Sequence, residues 1–215
     1  MMEFDFTRLS KQEKYKLLVS FVVPRPIALV TSRCRDGINN AAPISFFNVF
    51  SDEPPLLILG IQHKPDGTPK DTTRNIQATG EFVVNMVDES IARQMIVSSI
   101  DFPPEVDELD ASDLTCADSS QVIPGRILEA PVAFECRLER SVEYPSRSII
   151  FGEVVNMHVQ DQYIDAERLH VRSPAYCPIS RMHADTYTST RDQFQLPRVS
   201  YEEWLSSRER RLNHA

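Results

Sequence analysis

The sequence predicts a mainly β protein, a β-barrel with helical additions. Six or so short apolar runs of strand length punctuate the chain, and fifteen prolines against six glycines separate them. Short strands joined by tight turns must close or stack to protect their edges. Several runs follow one another with no regular helix between them, which disfavours the alternative of a parallel α/β sheet.

Residues 8–18 mix charged and apolar positions and read as an N-terminal helix. The β-branched run 27–32 is a strand, and Asp36-Gly37 is a hairpin turn signal leading to a return strand over 39–49. Residues 56–62, set off by Pro54 and Pro55, form a third strand. A short helix over 72–78 has Asp71 or Thr72 at its cap and Gly80 closing it. A strand over 81–86 and a helix over 89–98 follow. The acidic stretch 101–116, with Pro103-Pro104, reads as an excursion rather than a core strand. Residues 132–139 alternate as a half-buried strand, and 148–158 is a longer, more apolar one. A proline-bounded loop over 173–181 and an amphipathic helix over 201–212 complete the chain.

Hydrophobic residues at 41% and charged residues at 25% are ordinary for a globular protein, which excludes disordered, collagen-like and disulfide-scaffold readings. No apolar run approaches the roughly 20 residues a bilayer requires, and no secretory pattern opens the chain; a cytoplasmic protein with no membrane partner is expected. The net charge of −8 repels polyanions, and Arg208, Arg210 and Arg211 form the one dense basic run, so nucleic acid is a poor partner. Cys34, Cys116, Cys136 and Cys177 make no CxxC, and His63, His158, His170, His183 and His214 lack paired ligand spacing, so no metal is expected.

Three segments carry chemistry. In residues 23–32 two prolines bracket Arg25 before a strand that exits through Thr31 and Ser32; taken alone this is a strand start with a surface arginine. In residues 39–49 small residues lead to Ser45, Phe46, Phe47 and Asn48. Small side chains let a flat ligand approach the backbone, and amides and a hydroxyl can meet its polar edge. Core phenylalanines in a strand explain the aromatics but not their small, polar company. Lys70-Asp71-Thr72-Thr73 heads the short helix, whose free N–H groups and partial positive charge favour phosphate. An ordinary capped helix is the equal alternative there. No Ser/His/Asp ordering, HExxH, GxSxG, Walker A or GxGxxG occurs. Ligand-edge groups without a nucleophile fit an enzyme whose cofactor carries the difficult step.

Together these segments resemble the flavin reductase-like proteins with an FMN-binding split barrel. The resemblance rests on Val23-Pro24-Arg25-Pro26-Ile27-Ala28-Leu29-Val30-Thr31-Ser32, Asp36-Gly37, Asn40-Ala41-Ala42-Pro43, Ser45-Phe46-Phe47-Asn48, Pro54-Pro55-Leu56, Lys70-Asp71-Thr72, Asn75-Ile76 and Glu81-Phe82-Val83-Val84-Asn85. Further on, Glu129-Ala130-Pro131-Val132, Glu135-Cys136, Phe151-Gly152-Glu153-Val154-Val155 and His158 extend it. It implies a six-stranded antiparallel split barrel over 21–195, flanked by a helical extension (1–20) and a helical tail (196–215). It also implies FMN, usually at a homodimer interface, NADH or NADPH as hydride donor, and a partner monooxygenase or other electron acceptor. By motif, Thr31 and Ser32 would lie beside the isoalloxazine or ribityl chain. Ser45, Phe46 and Asn48 would meet the ring, with the backbone of Ala42 and Pro43 lining the same cleft. Lys70, Asp71 and Thr72 would hold the phosphate, and Arg181 and Tyr187 would approach the flavin. His158 is either a proton relay or a hydrogen-bonded strand end. An electron-carrier module and an FMN enzyme acting on another small molecule are the rival classes.

Overall fold

The computed structural model describes residues 1–212. The end of the predicted tail, 213–215 with His214, and the side chains of Arg210 and Arg211 lie outside the described residues.

Seven strands form one antiparallel sheet: β1 (Ala28–Arg33), β2 (Asn39–Ile44), β3 (Phe47–Asp52), β4 (Pro55–Gln62), β5 (Glu81–Met86), β6 (Val132–Tyr144) and β7 (Arg147–Val159). Their order across the sheet is β2-β1-β5-β6-β7-β4-β3. The expected six-stranded barrel is thus corrected to seven strands in a barrel that is not closed. The expected return strand 39–49 is two strands. β2 pairs with β1 at one edge, and β3 pairs with β4 at the other, with Phe47 opposite Leu59. Only Ser45 and Phe46 join them, so the chain steps from one edge of the sheet to the other in two residues. Pro43 has no N–H to donate and suits the edge position it occupies. Between the edges runs a seam.

The sheet buries both faces. Ala28 and Val30 point into the barrel with Leu59, Ile61, Phe82, Val84 and Ile150. Ile27 and Leu29 point outward to a second cluster with Val87, Ile91, Met95 and Leu109. This is why 27–32 is a continuous apolar run rather than an alternating one. Inside the barrel, the Phe82 ring occupies the space a side chain at residue 152 would need; a Cβ on Gly152 would stand 2.2 Å from Phe82 Cζ. Opposite the step from Phe151 to Gly152, β6 bulges at Glu139, which has no partner on β7.

Helix α1 (Lys11–Phe21) starts three residues later than expected, at a capping box in which Ser10 and Glu13 satisfy each other's backbone N–H. Helix α2 (Asp71–Thr79) contributes Ile76 to the barrel interior and ends at Gly80 with φ 75°. Its N-cap is Lys70, not Asp71 or Thr72, and no side chain caps it. Residues 89–98 divide into a short 3₁₀ turn and α3 (Ala92–Val97). The acidic excursion holds α4 (Glu108–Ala111) and sends Leu109 and Leu114 into the outer core, so it packs as part of the domain. A short strand pairing of Ile179–Arg181 with Arg25–Pro26 and Tyr187–Ser189 ties the late loop to the start of β1. Helix α5 (Tyr201–Leu212) ends the described chain; no helix among the described residues is long and apolar enough to cross a membrane.

Candidate cofactor cleft at the barrel seam

The seam opens into a cleft with a volume of about 240 Å³. Its floor is Asn40, Ala42, Pro43 and Ile44 of β2 and Gly60 to Gln62 of β4, bridged by Ser45 and Phe46. The start of α2 (Lys70, Asp71, Thr72) closes one end, and residues 98–102 with Glu108 form the far wall. Tyr15 from α1 and Arg147 from β7 stand at the mouth.

The polar groups at the α2 end are arranged for an anion. Arg74 is the first N–H to bond back into the helix, at 3.1 Å from Lys70 O. The N–H groups of Asp71, Thr72 and Thr73 therefore have no acceptor among the described residues, and the positive end of the helix dipole lies with them. The Thr73 hydroxyl is buried without a partner at the same turn. Thr72 Oγ1 accepts from Asn40 Nδ2 at 3.0 Å, which links the helix start to β2. Lys70 Nζ lies 3.0 Å from Asp101 Oδ1. The acid beside it, Asp71, is already occupied: Lys64 Nζ is 2.8 Å from its Oδ2, and Arg74 pairs with its Oδ1.

Two further groups shape the walls. Glu108 Oε2 accepts from Ala41 N–H at 2.8 Å, capping an outward-facing donor of the edge strand. Burial pushes the Glu108 carboxyl up to about 7, against the Ala41 hydrogen bond and the nearby Lys70 charge; Asp101 and Asp107 add to the rise. Phe46 is held between Tyr15, whose ring centroid is 6.4 Å away, and the Arg147 guanidinium, 4.1 Å from its own. Its carbonyl accepts from Gly60 N–H at 2.7 Å, so the crossing point is fixed on both sides.

The cleft brings together Ala42, Pro43, Ser45, Phe46, Lys70, Asp71 and Thr72 of the predicted site residues. Thr31 and Ser32 are buried on opposite faces of β1 and do not line it. Thr31 Oγ1 donates to Gly125 O at 2.6 Å, and Ser32 Oγ accepts from Asn75 Nδ2 at 3.3 Å. Asn48 borders a separate groove on the other side of Phe46. Arg181 does not line the cleft; it donates to the Tyr187 hydroxyl and lies over the Tyr187 ring. His158 is also elsewhere, with Nε2 2.5 Å from the buried Glu135 carboxylate. Sequence reasoning missed Glu108, Tyr15 and Arg147. Glu108 follows an Asp107 N-cap whose side chain accepts from Leu109 N–H at 3.0 Å, a local signal within the acidic run. Nothing local marks Tyr15 or Arg147.

Residues 20–180 match the flavin reductase like domain. The chain belongs to the flavin reductase-like family. A relative from Aquifex aeolicus, carried as an uncharacterized protein, is 43% identical over 186 residues, covering 86% of this chain and 94% of its own. Among solved structures, the 2-nitrobenzoate 2-nitroreductase of Pseudomonas fluorescens superposes with a TM-score of 0.86 at 37% identity, covering 93% of this chain and 98% of that one. Component B of nitrilotriacetate monooxygenase from Bacillus cereus gives 0.87 at 32% identity, with 91% and 98% covered. Membership of this family makes the protein a flavin-linked oxidoreductase.

Proposed function

We propose that the protein binds FMN in the seam cleft and uses it to accept hydride from NADH or NADPH. The observation that carries this reading is the convergence of unpaired helix N–H groups and Lys70 at one end of a cleft whose floor includes Ala42, Pro43 and Gly60 and whose side is Phe46. Such a donor set fits a phosphate, and the short side chains of Ala42 and Pro43 with Gly60 let a planar ring approach the backbone beside it. When bound, the flavin supplies the redox chemistry, taking the hydride from the nicotinamide. The chain's own part is positional. Lys70 and the first turn of α2 hold the phosphate. Ala42, Pro43 and Ser45 set the ring against β2, while Phe46, braced by Gly60, covers one side and keeps water out. Thr31 and Ser32 act indirectly, tying β1 to the 125 loop and to Asn75 of α2.

A second copy of the chain completes the site. The cleft volume of about 240 Å³ falls below the roughly 300–1,000 Å³ of pockets that enclose a ligand of this size. Next to it, edge strand β3 leaves Val49 at 64% and Phe50 at 66% exposure, an apolar margin suited to a homodimer contact. Predicted residues that do not line this cleft, Asn48 and Arg181, would then act at or across that contact.

The electron acceptor follows one of two routes. Similarity to a monooxygenase component B favours release of reduced flavin to a partner monooxygenase. Similarity to a nitrobenzoate nitroreductase favours reduction of an aromatic acceptor on the protein itself.

The test is a visible spectrum of the purified protein, followed by titration with FMN and with riboflavin. Lys70→Ala is expected to weaken FMN at least about ten-fold, since a hydrogen bond to a charged group contributes roughly 1.5–3 kcal/mol, and to leave riboflavin within about two-fold. Equal losses for the two ligands refute the phosphate assignment. A protein that binds neither flavin nor oxidises NADH refutes the reading as a whole.

A further inference from the structure

Arg147 has no part in the reading above. It opens β7, and its Nη1 donates to Gly60 O at 2.6 Å while the guanidinium lies over Phe46, 4.1 Å from the ring centroid. Among the described residues it has no carboxylate partner. Burial works against its charge and lowers its pKa. A half-buried cation without a counter-ion carries an uncompensated desolvation cost, which a bound anion would offset.

Arg147 borders two spaces. One is the seam cleft. The other lies on the far side of Phe46, a groove with a volume of about 430 Å³ walled by Leu18, Pro24, Phe47, Ile58 and Ile149 and rimmed by Asn48 and Phe50, the margin that a second copy would close in the proposed homodimer. Arg25 reaches the same groove. It is 9% exposed, and its three amino hydrogen bonds go to the main-chain carbonyls of Val19, Val22 and Met182, with Nε buried and unpaired. It too lacks a carboxylate partner among the described residues. In a chain of net charge −8, a groove with apolar walls thus holds two cations facing no anion.

We propose that this groove receives a small aromatic acid, its ring against Phe46, Phe47 and Ile149 and its carboxylate on the Arg147 guanidinium. The planar fork of Arg147 matches a carboxylate in two-point geometry. The apolar walls favour an aromatic body and disfavour a dianion such as a phosphate, whose desolvation costs more. Arg25, its donors already committed, contributes field rather than contact. The inference rests on the flavin reading only in that Phe46 is then the partition between the acid and the flavin, which makes this a ligand site beside the cofactor cleft and not part of it.

The test uses the protein as purified, titrated with benzoate and with its neutral analogue benzamide, followed both by calorimetry and by perturbation of the flavin spectrum. Benzoate is expected to bind at least ten-fold more tightly than benzamide. Arg147→Gln should bring that ratio close to one while leaving benzamide binding unchanged, and Arg147→Lys should keep part of the preference. Equal binding of the two ligands by the wild type, or a preference that survives in Arg147→Gln, overturns the proposal. A protein without flavin still gives the calorimetric ratio, so failure of the flavin reading and failure of the acid site are read separately.

Discussion

Glu135 offers the sharpest test of how the sheet holds its neighbouring loop. It sits on β6 with its side chain fully buried. Its carboxylate accepts from the N–H groups of Ser120 at 2.8 Å, Gln121 at 2.6 Å and Val122 at 3.2 Å. His158 Nε2 at 2.5 Å and Asn156 Nδ2 at 3.0 Å complete the ring of partners. Replacement by alanine breaks three backbone hydrogen bonds and strands the buried Val122 donor, with those of exposed Ser120 and Gln121 only partly open to water; an unpaired buried donor costs roughly 1–3 kcal/mol. With partial relief from water entering the gap, Glu135→Ala should lose about 4 kcal/mol, a large share of a typical total of about 5–15. At a urea slope near 2 kcal/mol/M, the midpoint should fall by about 2 M. Amide exchange at residues 120–122 should accelerate in step. A fall of less than about 0.5 M with unchanged exchange refutes the anchoring role. The pH sign is also fixed. Burial opposes the Glu135 charge, but the Ser120 N–H, His158, Asn156 and the Gln121 N–H outweigh it and hold the carboxyl down to about 2. Its contribution is therefore complete above the ordinary carboxylate value of 4.5 and is lost as the pH falls toward 2.

Glu108 behaves in the opposite sense. Its carboxyl is raised from 4.5 to about 7, so the folded state prefers the protonated form; its contribution is complete below 4.5 and declines until the pH passes 7. Glu108→Gln keeps an oxygen for Ala41 N–H and should remove that decline, melting above the wild type at pH 8; coincident Tm profiles from pH 4 to 9 refute it. Gly152→Ala forces a Cβ to 2.2 Å from the Phe82 ring and should cost about 1–3 kcal/mol by overpacking. An unchanged thermal melt would contradict the close approach.

Much of the cleft was legible because its parts are local. The small-residue run 40–46 and the Lys70-Asp71-Thr72 helix start each carry their chemistry within a few residues. The Ser10-to-Glu13 capping box is equally local, and it sets the helix start at Lys11 although the charged and apolar pattern reaches back to Arg8. Other features are set by contacts far along the chain. Residues 39–49 show no break in β character, and the division at Ser45 is imposed by pairing with β4 at the opposite edge. Glu108 is a cleft wall because its oxygen meets Ala41, 67 positions away. Arg147 depends on Gly60, 87 positions away. Thr31 and Ser32 belong to a run buried on both faces, where alternation carries no information about which side meets a ligand. The hairpin of β6 and β7 extends beyond the apolar alternation because its outer half, through Ser141, Glu143 and Tyr144, is polar and partly exposed.

The two-residue hop at Ser45 and Phe46 has a thermodynamic corollary. Without ladder bonds across the gap, the first and last strands of the sheet are fastened by a single covalent step and by side chains. Any molecule lodged there works as a clasp, gripping both margins at once. Its free concentration then enters the folding equilibrium directly, as RT ln(1 + [L]/Kd), and the chain's resistance to unravelling becomes a gauge of how full its own gap is.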